Sequence, residues 1–342
     1  MTRSKFGFQV HPHGLAREAT SKLHDSMDAL NPTVSLVLNN APYAQMLKSR
    51  HPDTEIILRL WPDDEPHKHK DGRPPITPAQ HADRYMPYMS DGFICHGMNE
   101  PQWVENNQLD PAAIEWSIEF GRECVKRGLR AVLWNTGAGK VNEHNVHALR
   151  PLIELVNQYP GQLYLGLHEY TNYDYMQMHP WLFGSFKFIH DFCDSNGLAR
   201  PKIIFDEWGY NTRHKHPENK QWNLAEAIRY GGSAVNAAQN LINARNDIYA
   251  GYDNIVGFCY FPFGSASSKW YLYDIIRNGY PAFLDYLVKY WPRESGQHPP
   301  PPPIPEPPPD PDDTQPAPPE PEPPGTLCAA LRWILQRFCG DC

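Results

Sequence analysis

The 342-residue chain has no apolar stretch near the roughly 20 residues that a membrane-spanning helix requires, so an integral membrane protein is not expected. Its basic N-terminus, Met1-Thr2-Arg3-Ser4-Lys5, runs into Phe6-Gly7-Phe8-Gln9-Val10-His11-Pro12 without the apolar core of a signal peptide. No secretory leader is therefore expected, and the compartment stays open. Lys and Arg nowhere cluster into the basic surface that phosphate backbones demand, which argues against a nucleic-acid partner. Nor do the seven cysteines follow zinc or disulfide-framework spacing. Cys95, Cys124, Cys193 and Cys259 are expected as buried thiols, since cysteine packs as a small hydrophobe. No Gly-x-Gly-x-x-Gly turn follows the first apolar segment, which removes the usual mark of a dinucleotide-binding open sheet.

What is present is a repeat. Short apolar, β-rich segments recur at Phe6 to Val10, Val34 to Leu38, Glu55 to Leu60, Gly92 to His96, Arg130 to Trp134, Leu163 to Leu167, Lys202 to Phe205 and Ile255 to Tyr260, with helical sequence between them. Eight such units are what a closed (β/α)8 TIM barrel needs, and the 41% hydrophobic content supplies its core. Asp110-Pro111 reads as N-cap and first residue of a helix closed by Gly128. A long helix is expected from about Asn223 to Ala244, and a last one near Pro281 to Tyr290.

After residue 292 the composition changes: 16 of the 36 prolines fall between Pro299 and Pro324. That span also holds Glu306, Asp310, Asp312, Asp313, Glu320 and Glu322 with no Lys or Arg, so most of the net charge of -8 resides there. The expected organisation is a catalytic barrel over 1–292, an acidic proline-rich linker over 293–325 and a short amphipathic tail over 326–342. Such a linker prefers the extended polyproline II form, about 3.1 Å per residue. In the tail Leu327, Leu331, Ile334, Leu335 and Phe338 recur at helical spacing, making it a candidate docking segment for another protein or chain. Cys328 and Cys339 would lie about 16 Å apart along one helix, too far to bond to each other within it.

A (β/α) barrel builds its site at the C-terminal ends of its strands, so the residues after each apolar segment carry the functional information. They are His11 and His13, Asn39 and Asn40, Arg59 and Trp61, Asn99 and Glu100, Trp134 and Asn135, His168, Glu169 and Tyr170, Glu207 and Trp208, and Phe261 and Phe263. Glu100 and Glu207 follow the fourth and seventh segments. Breaking a glycosidic bond takes one carboxylic acid to protonate the leaving oxygen and one carboxylate facing the oxocarbenium ion. Staves four and seven face each other across roughly 13 Å in a barrel of about 7 Å radius. Side chains reaching inward by about 4 Å each leave around 5 Å between carboxyls, the spacing of retaining enzymes.

Here the chain resembles the clan A glycoside hydrolases over residues 6 to about 292. Asn99-Glu100-Pro101 is similar to their Asn-Glu-Pro signature, which implies Glu100 as acid/base and Asn99 as partner of the sugar 2-hydroxyl. By the same resemblance Glu207 is the nucleophile, and His168 and Tyr170 form the His-x-Tyr whose tyrosine approaches it. Arg59 is the candidate for the arginine beside the nucleophile, although that residue usually comes from an earlier strand. The pattern departs at stave eight, where Tyr260-Phe261-Pro262-Phe263 stands in place of a tryptophan that is often preceded by a cis peptide. Phe261 is expected to supply the ring, and a Phe261-Pro262 bond can be cis at small cost. Trp61, Trp103, Trp134, Trp208 and Trp270 are further candidate sugar-stacking rings. The implied reaction is double displacement, with no metal and no cofactor, Glu100 being kept protonated by the negative charge of Glu207.

Two other readings compete. His11-Pro12-His13 resembles the His-x-His of metal-dependent amidohydrolase barrels, but of the other ligands that family needs only His168 is in place. A non-catalytic carbohydrate-binding barrel would use the same aromatic rim, yet its usual mark is loss of a catalytic carboxylate, and both are present.

Overall fold

The structure, a computed structural model, describes residues 4–12, 17–60, 75–101, 103–104, 108–211, 221–264 and 271–291. The proposed linker, the tail with its three cysteines, His13, Trp61, Trp270 and the side chain of Trp103 lie outside the described residues. The eight apolar segments form β1 (Phe6–Val10), β2 (Val34–Leu38), β3 (Glu55–Arg59), β4 (Ile94–His96), β7 (Arg130–Thr136), β8 (Leu163–Thr171), β9 (Ile203–Tyr210) and β10 (Ile255–Phe263). A two-stranded hairpin, β5 (Trp103–Val104) and β6 (Gln108–Leu109), stands just after Glu100. The eight long-range strands close in the order β1-β10-β9-β8-β7-β4-β3-β2, every neighbouring pair parallel. The fold is a (β/α)8 barrel, as the repeat requires.

Successive residues of a strand point to opposite faces, and the barrel separates two apolar layers by this rule. Val34, Leu36, Ile57, Ile94, Val132, Tyr164, Ile204 and Cys259 form one cluster inside the barrel. The residues that alternate with them, such as Val37, Leu58, Cys95, Leu133, Leu165 and Phe205, join the larger core under the helices. Above the inner apolar layer the inward positions turn polar, with Gln9, Arg59, His96, His168 and Asp206 all buried. Cys95, Cys124, Cys193 and Cys259 are buried free thiols, as expected.

The helix between the fourth and fifth staves is α4 (Pro111–Lys126), whose N-cap Asp110 accepts a hydrogen bond from Ala112 N at 3.0 Å. The last helix, α9, spans Ala282–Tyr290. The single helix expected over Asn223 to Ala244 is instead two, α7 (Leu224–Tyr230) and α8 (Ala234–Ala244). Gly231-Gly232-Ser233 breaks it: Gly232 has φ 74°, outside the helical region, and the Ser233 side chain starts a new cap by accepting from Asn236 N at 3.0 Å. Among the described residues no helix is long and apolar enough to cross a membrane.

Two register shifts position the site. Leu167 pairs with Phe205 and His168 with Glu207, so Asp206 has no partner on β8 and β9 carries one extra residue. On its other side the same extra residue appears between the pairs Phe258/Phe205 and Tyr260/Trp208. This β-bulge lets Asp206 and Glu207 both face inward, where strict alternation would send one of them out. On β7 the pairs Leu133/Leu165 and Thr136/Leu167 likewise leave one residue extra, around Trp134 (φ 75°) and Asn135 (φ 22°).

Candidate active site

Glu207 is held from three sides. The Arg59 guanidinium donates to its Oε1 at 2.7 Å, and the Tyr170 hydroxyl donates to its Oε2. Gln9 Nε2 stands 3.5 Å from Oε1. All four residues are buried, so these charge-assisted bonds act in a low-dielectric setting and hold the carboxylate in one orientation. Burial, then the charges of Glu207 and Glu100, raise the Tyr170 phenol well above its ordinary value, which keeps it a donor. Burial and the Arg59 charge push His11 down to about 3, so this histidine is a neutral ring beside Gln9 and Phe261.

Glu100 is held less tightly. It follows β4 with a left-handed backbone (φ 45°), uncommon for a residue with a side chain and of the kind that collects at functional sites. Its amide donates to Asn135 O at 2.9 Å, and the Asn135 side-chain amide donates to Met98 O at 3.1 Å. Gly166 makes this prop possible, since a Cβ there would lie 1.9 Å from Asn135 Oδ1. The Glu100 side chain is about half exposed, and among the described residues its hydrogen-bonded partner is His168, whose Nδ1 is 3.2 Å from Oε1. That same nitrogen is 3.6 Å from Glu207 Oε2, so the imidazole sits between the two carboxylates.

Where the sequence led to an upward push of Glu207 on the Glu100 carboxyl, the folded chain shifts that carboxyl the other way. The hydrogen bond from His168 comes first and pulls the Glu100 carboxyl below its ordinary value; burial opposes it, and the charges of His168, Arg59 and Lys140 add to it. For His168 burial disfavours the charged ring, but Glu207 and Asp206, with hydrogen bonds to Asp206 and Glu100, raise its pKa well above 6.5. The positive groups between the carboxylates outweigh the repulsion of one carboxylate by the other.

The structure gathers Arg59, Asn99, Glu100, His168, Tyr170, Glu207 and Phe261 around one mouth. Phe261 packs at 6.3 Å from the Tyr170 ring and 6.1 Å from that of Tyr273, and the Phe261-Pro262 bond is cis. Asn99 is buried next to Glu100 in the chain. Trp134 and Trp208 do not join them. Both are fully buried in the core under the helices, because the extra residue in each strand turns their rings outward; Trp208 packs against Phe183, Phe258 and Trp291. Glu169 also faces away, alternating with His168 and Tyr170, and accepts from Gly184 N at 2.8 Å and Phe186 N at 3.1 Å at the start of α6 (Phe186–Ser195). Asn40 is the N-cap of α2 (Ala41–Arg50), accepting from Tyr43 N at 3.0 Å, and Phe263 is core.

Three inward polar residues escaped the sequence reading: Gln9, His96 and Asp206. Each is a polar side chain within an otherwise apolar strand, which is the one local signal that would have found them. One ligand atom each of Glu100, His168 and Glu207 lies within 4.8 Å of the others, a spacing a divalent cation could also span. Here the Arg59 guanidinium and the His168 ring already put positive charge against both carboxylates, which is unlike a cation site built from neutral histidine and carboxylates.

No family model and no curated protein matches the chain. Solved structures do. The endo-beta-1,4-glucanase Xac0030 from Xanthomonas axonopodis pv. citri, as a triple mutant, superimposes with a TM-score of 0.50 and 13% identity over 85% of this chain and 95% of that one. XacCel5A in complex with cellopentaose gives a TM-score of 0.51 and 13% identity over 84% of this chain and 99% of that one. The fold is a (β/α)8 barrel like that of these two structures. At this identity the likeness is one of architecture.

Proposed function

We propose that the chain is a retaining glycoside hydrolase acting on β-linked sugars by double displacement. The observation that carries the reading is the pair of carboxylates: oxygens of Glu100 and Glu207 lie within 4.8 Å across the mouth, close to the ~5–5.5 Å of retaining enzymes and short of the ~6.5 Å or more that inversion needs for a water. Glu207, oriented by Arg59 and Tyr170, attacks the anomeric carbon. Glu100, the more exposed of the two, protonates the leaving oxygen and then, as a base, takes a proton from the water that releases the sugar. Asn99 is placed in the reading to bind the 2-hydroxyl, and Phe261 with Tyr170 and Tyr273 to floor the subsite of the cleaved sugar.

The test is a panel of β-1,4-glucans, mannans and aryl β-glycosides, with the anomer of the first-formed product followed by NMR. Hydrolysis with net retention, abolished in Glu207→Ala, is expected. Inverted product, or a Glu207→Ala protein as active as the parent, overturns the reading in favour of an inverting enzyme or of a binding barrel.

A further inference from the structure

Below the two carboxylates the barrel holds a chain of ionisable groups that double displacement, as usually drawn, does not call for. Asp206 is fully buried, and its Oδ2 is 3.2 Å from His168 Nε2 and 2.9 Å from His96 Nε2. The other nitrogen of His96, Nδ1, is 3.1 Å from Gly97 O. The other nitrogen of His168 is the one between Glu100 and Glu207. Both ring nitrogens of His168 therefore face carboxylate oxygens. A neutral imidazole has one N–H and one lone pair, and a lone pair aimed at a carboxylate is repelled unless that carboxyl carries the proton itself. Burial alone would raise the Asp206 carboxyl, but His168 and His96 outweigh it and keep Asp206 ionised; two arrangements then satisfy the geometry: imidazolium with ionised Glu100, or neutral imidazole with protonated Glu100. They differ by one proton moved across 3.2 Å.

We propose that His168 is the seat of the proton that Glu100 delivers, and that Asp206 and His96 are positioning residues that hold His168 in place for the transfer. In the free protein the proton rests on His168 Nδ1. When Glu207 forms its bond to the anomeric carbon its negative charge is consumed, and His168 loses an anion 3.6 Å away. The Nδ1 proton then passes to Glu100 Oε1 and from there to the leaving oxygen, as the glycosidic C–O bond breaks; His168 is left neutral with its Nε2–H still given to Asp206. In the second half-reaction Glu100 takes a proton from the attacking water, Glu207 regains its charge as the ester bond breaks, and the proton returns to His168. Protons and charges balance over the cycle. Attack by the nucleophile and supply of the acid's proton are thereby coupled through one ring.

The groups facing this ring come from every neighbouring stave. Glu100 and His96 belong to β4 and its end, Asp206 and Glu207 to β9, and Tyr170 to β8, with its ring 6.2 Å away. Arg59 on β3 acts through Glu207. Lys140, after β7, adds its charge at Glu100. On β10 the buried Cys259 thiol is raised, by burial first and then by the charge of Asp206, and stays neutral. The bulge in β9 is what admits Asp206 to this layer at all.

The test is a 15N NMR titration of the full chain, with the His168 signals assigned by their loss in His168→Gln. At pH 7 the parent is expected to show a doubly protonated His168. Glu207→Gln, which imitates loss of the nucleophile's charge, is expected to lower its midpoint by about one pH unit or more. A neutral His168 in the parent at pH 7, or a midpoint unmoved in Glu207→Gln, overturns the proposal. In kinetics, Asp206→Asn is expected to move the alkaline limb of kcat/KM to lower pH and to slow aryl glycosides with poor leaving groups more than those with activated ones; a uniform loss at every pH and leaving group would make Asp206 merely structural and overturn its assigned role. Should Asp206→Asn not fold, the Glu207→Gln titration decides. The proposal rests on the hydrolase reading for its consequence only, because the titration needs no substrate: a chain that cleaves no glycoside would fail that reading while the spectrum still decided where the proton sits.

Discussion

The two carboxylates of the mouth are built in opposite ways. Glu207 is buried inside a strand, with a guanidinium and a phenol bonded to its two oxygens. Glu100 stands on the turn after a three-residue strand, about half exposed, with a left-handed backbone and, among the described residues, one imidazole for a fixed partner. A group that must form a covalent bond at one atom profits from being held still; a group that must give a proton, lose contact and take one from water profits from access. The asymmetry extends around the barrel. Staves β1 to β4 have three to five residues, whereas β7 to β10 have seven to nine. His168, Tyr170, Glu207 and Phe261 consequently sit on hydrogen-bonded strand and not on loops.

The sharpest way to break this comparison is to remove each carboxylate in turn. Glu207→Ala should lower kcat on the order of 10⁴-fold or more on every substrate, with azide restoring turnover as a glycosyl azide of inverted configuration. Glu100→Gln should cost about 10²- to 10⁴-fold on substrates with poor leaving groups and far less on dinitrophenyl glycosides, which leave without a proton. Equal losses on both substrate classes would show that the half-exposed carboxylate is not the acid. The cage is probed by Tyr170→Phe, which removes a hydrogen bond to a charged group worth about 1.5–3 kcal/mol, or roughly 10- to 100-fold in kcat/KM, with the fold unchanged by circular dichroism.

Smaller still are effects on stability. Trp208→Phe should lower unfolding free energy by about 1–3 kcal/mol in urea titrations while leaving KM unchanged, since the ring is core; a raised KM at unchanged stability would return it to the sugar site. For pH, His168 has a folded pKa above its ordinary 6.5, so its contribution is complete below pH 6.5 and is lost as pH rises through the raised value. His190, buried and lowered to about 4 by burial first and then by Arg200, contributes the opposite way, present above pH 6.5 and lost as pH falls toward 4. The urea midpoint should therefore peak near pH 6.5, and His168→Gln should flatten only the alkaline side.

Much of this was legible from residue order. Alternating and continuous apolar runs marked all eight staves, and Asp110-Pro111 marked a helix start, because strand and cap preferences act over a few neighbouring residues. Glu100 and Glu207 could be singled out as candidates because a barrel gathers its strand ends at one mouth. Staves five to eight run two to five residues further than their apolar segments, since His168, Tyr170, Asn135 and Glu207 are polar side chains stabilised in strand by partners from other staves.

What could not be read is the direction of individual side chains near the bulges. One extra residue in β7 and one in β9 break the alternation, sending Trp134 and Trp208 into the core and Asp206 inward beneath Glu207. No local preference encodes that choice, because it depends on pairing with strands far away in the chain. The charge states follow the same division. Residue types alone suggested two carboxylates repelling each other, whereas the folded chain interposes His168 and Arg59 from distant strands, and electrostatic energy depends on distances that closure of the barrel alone creates.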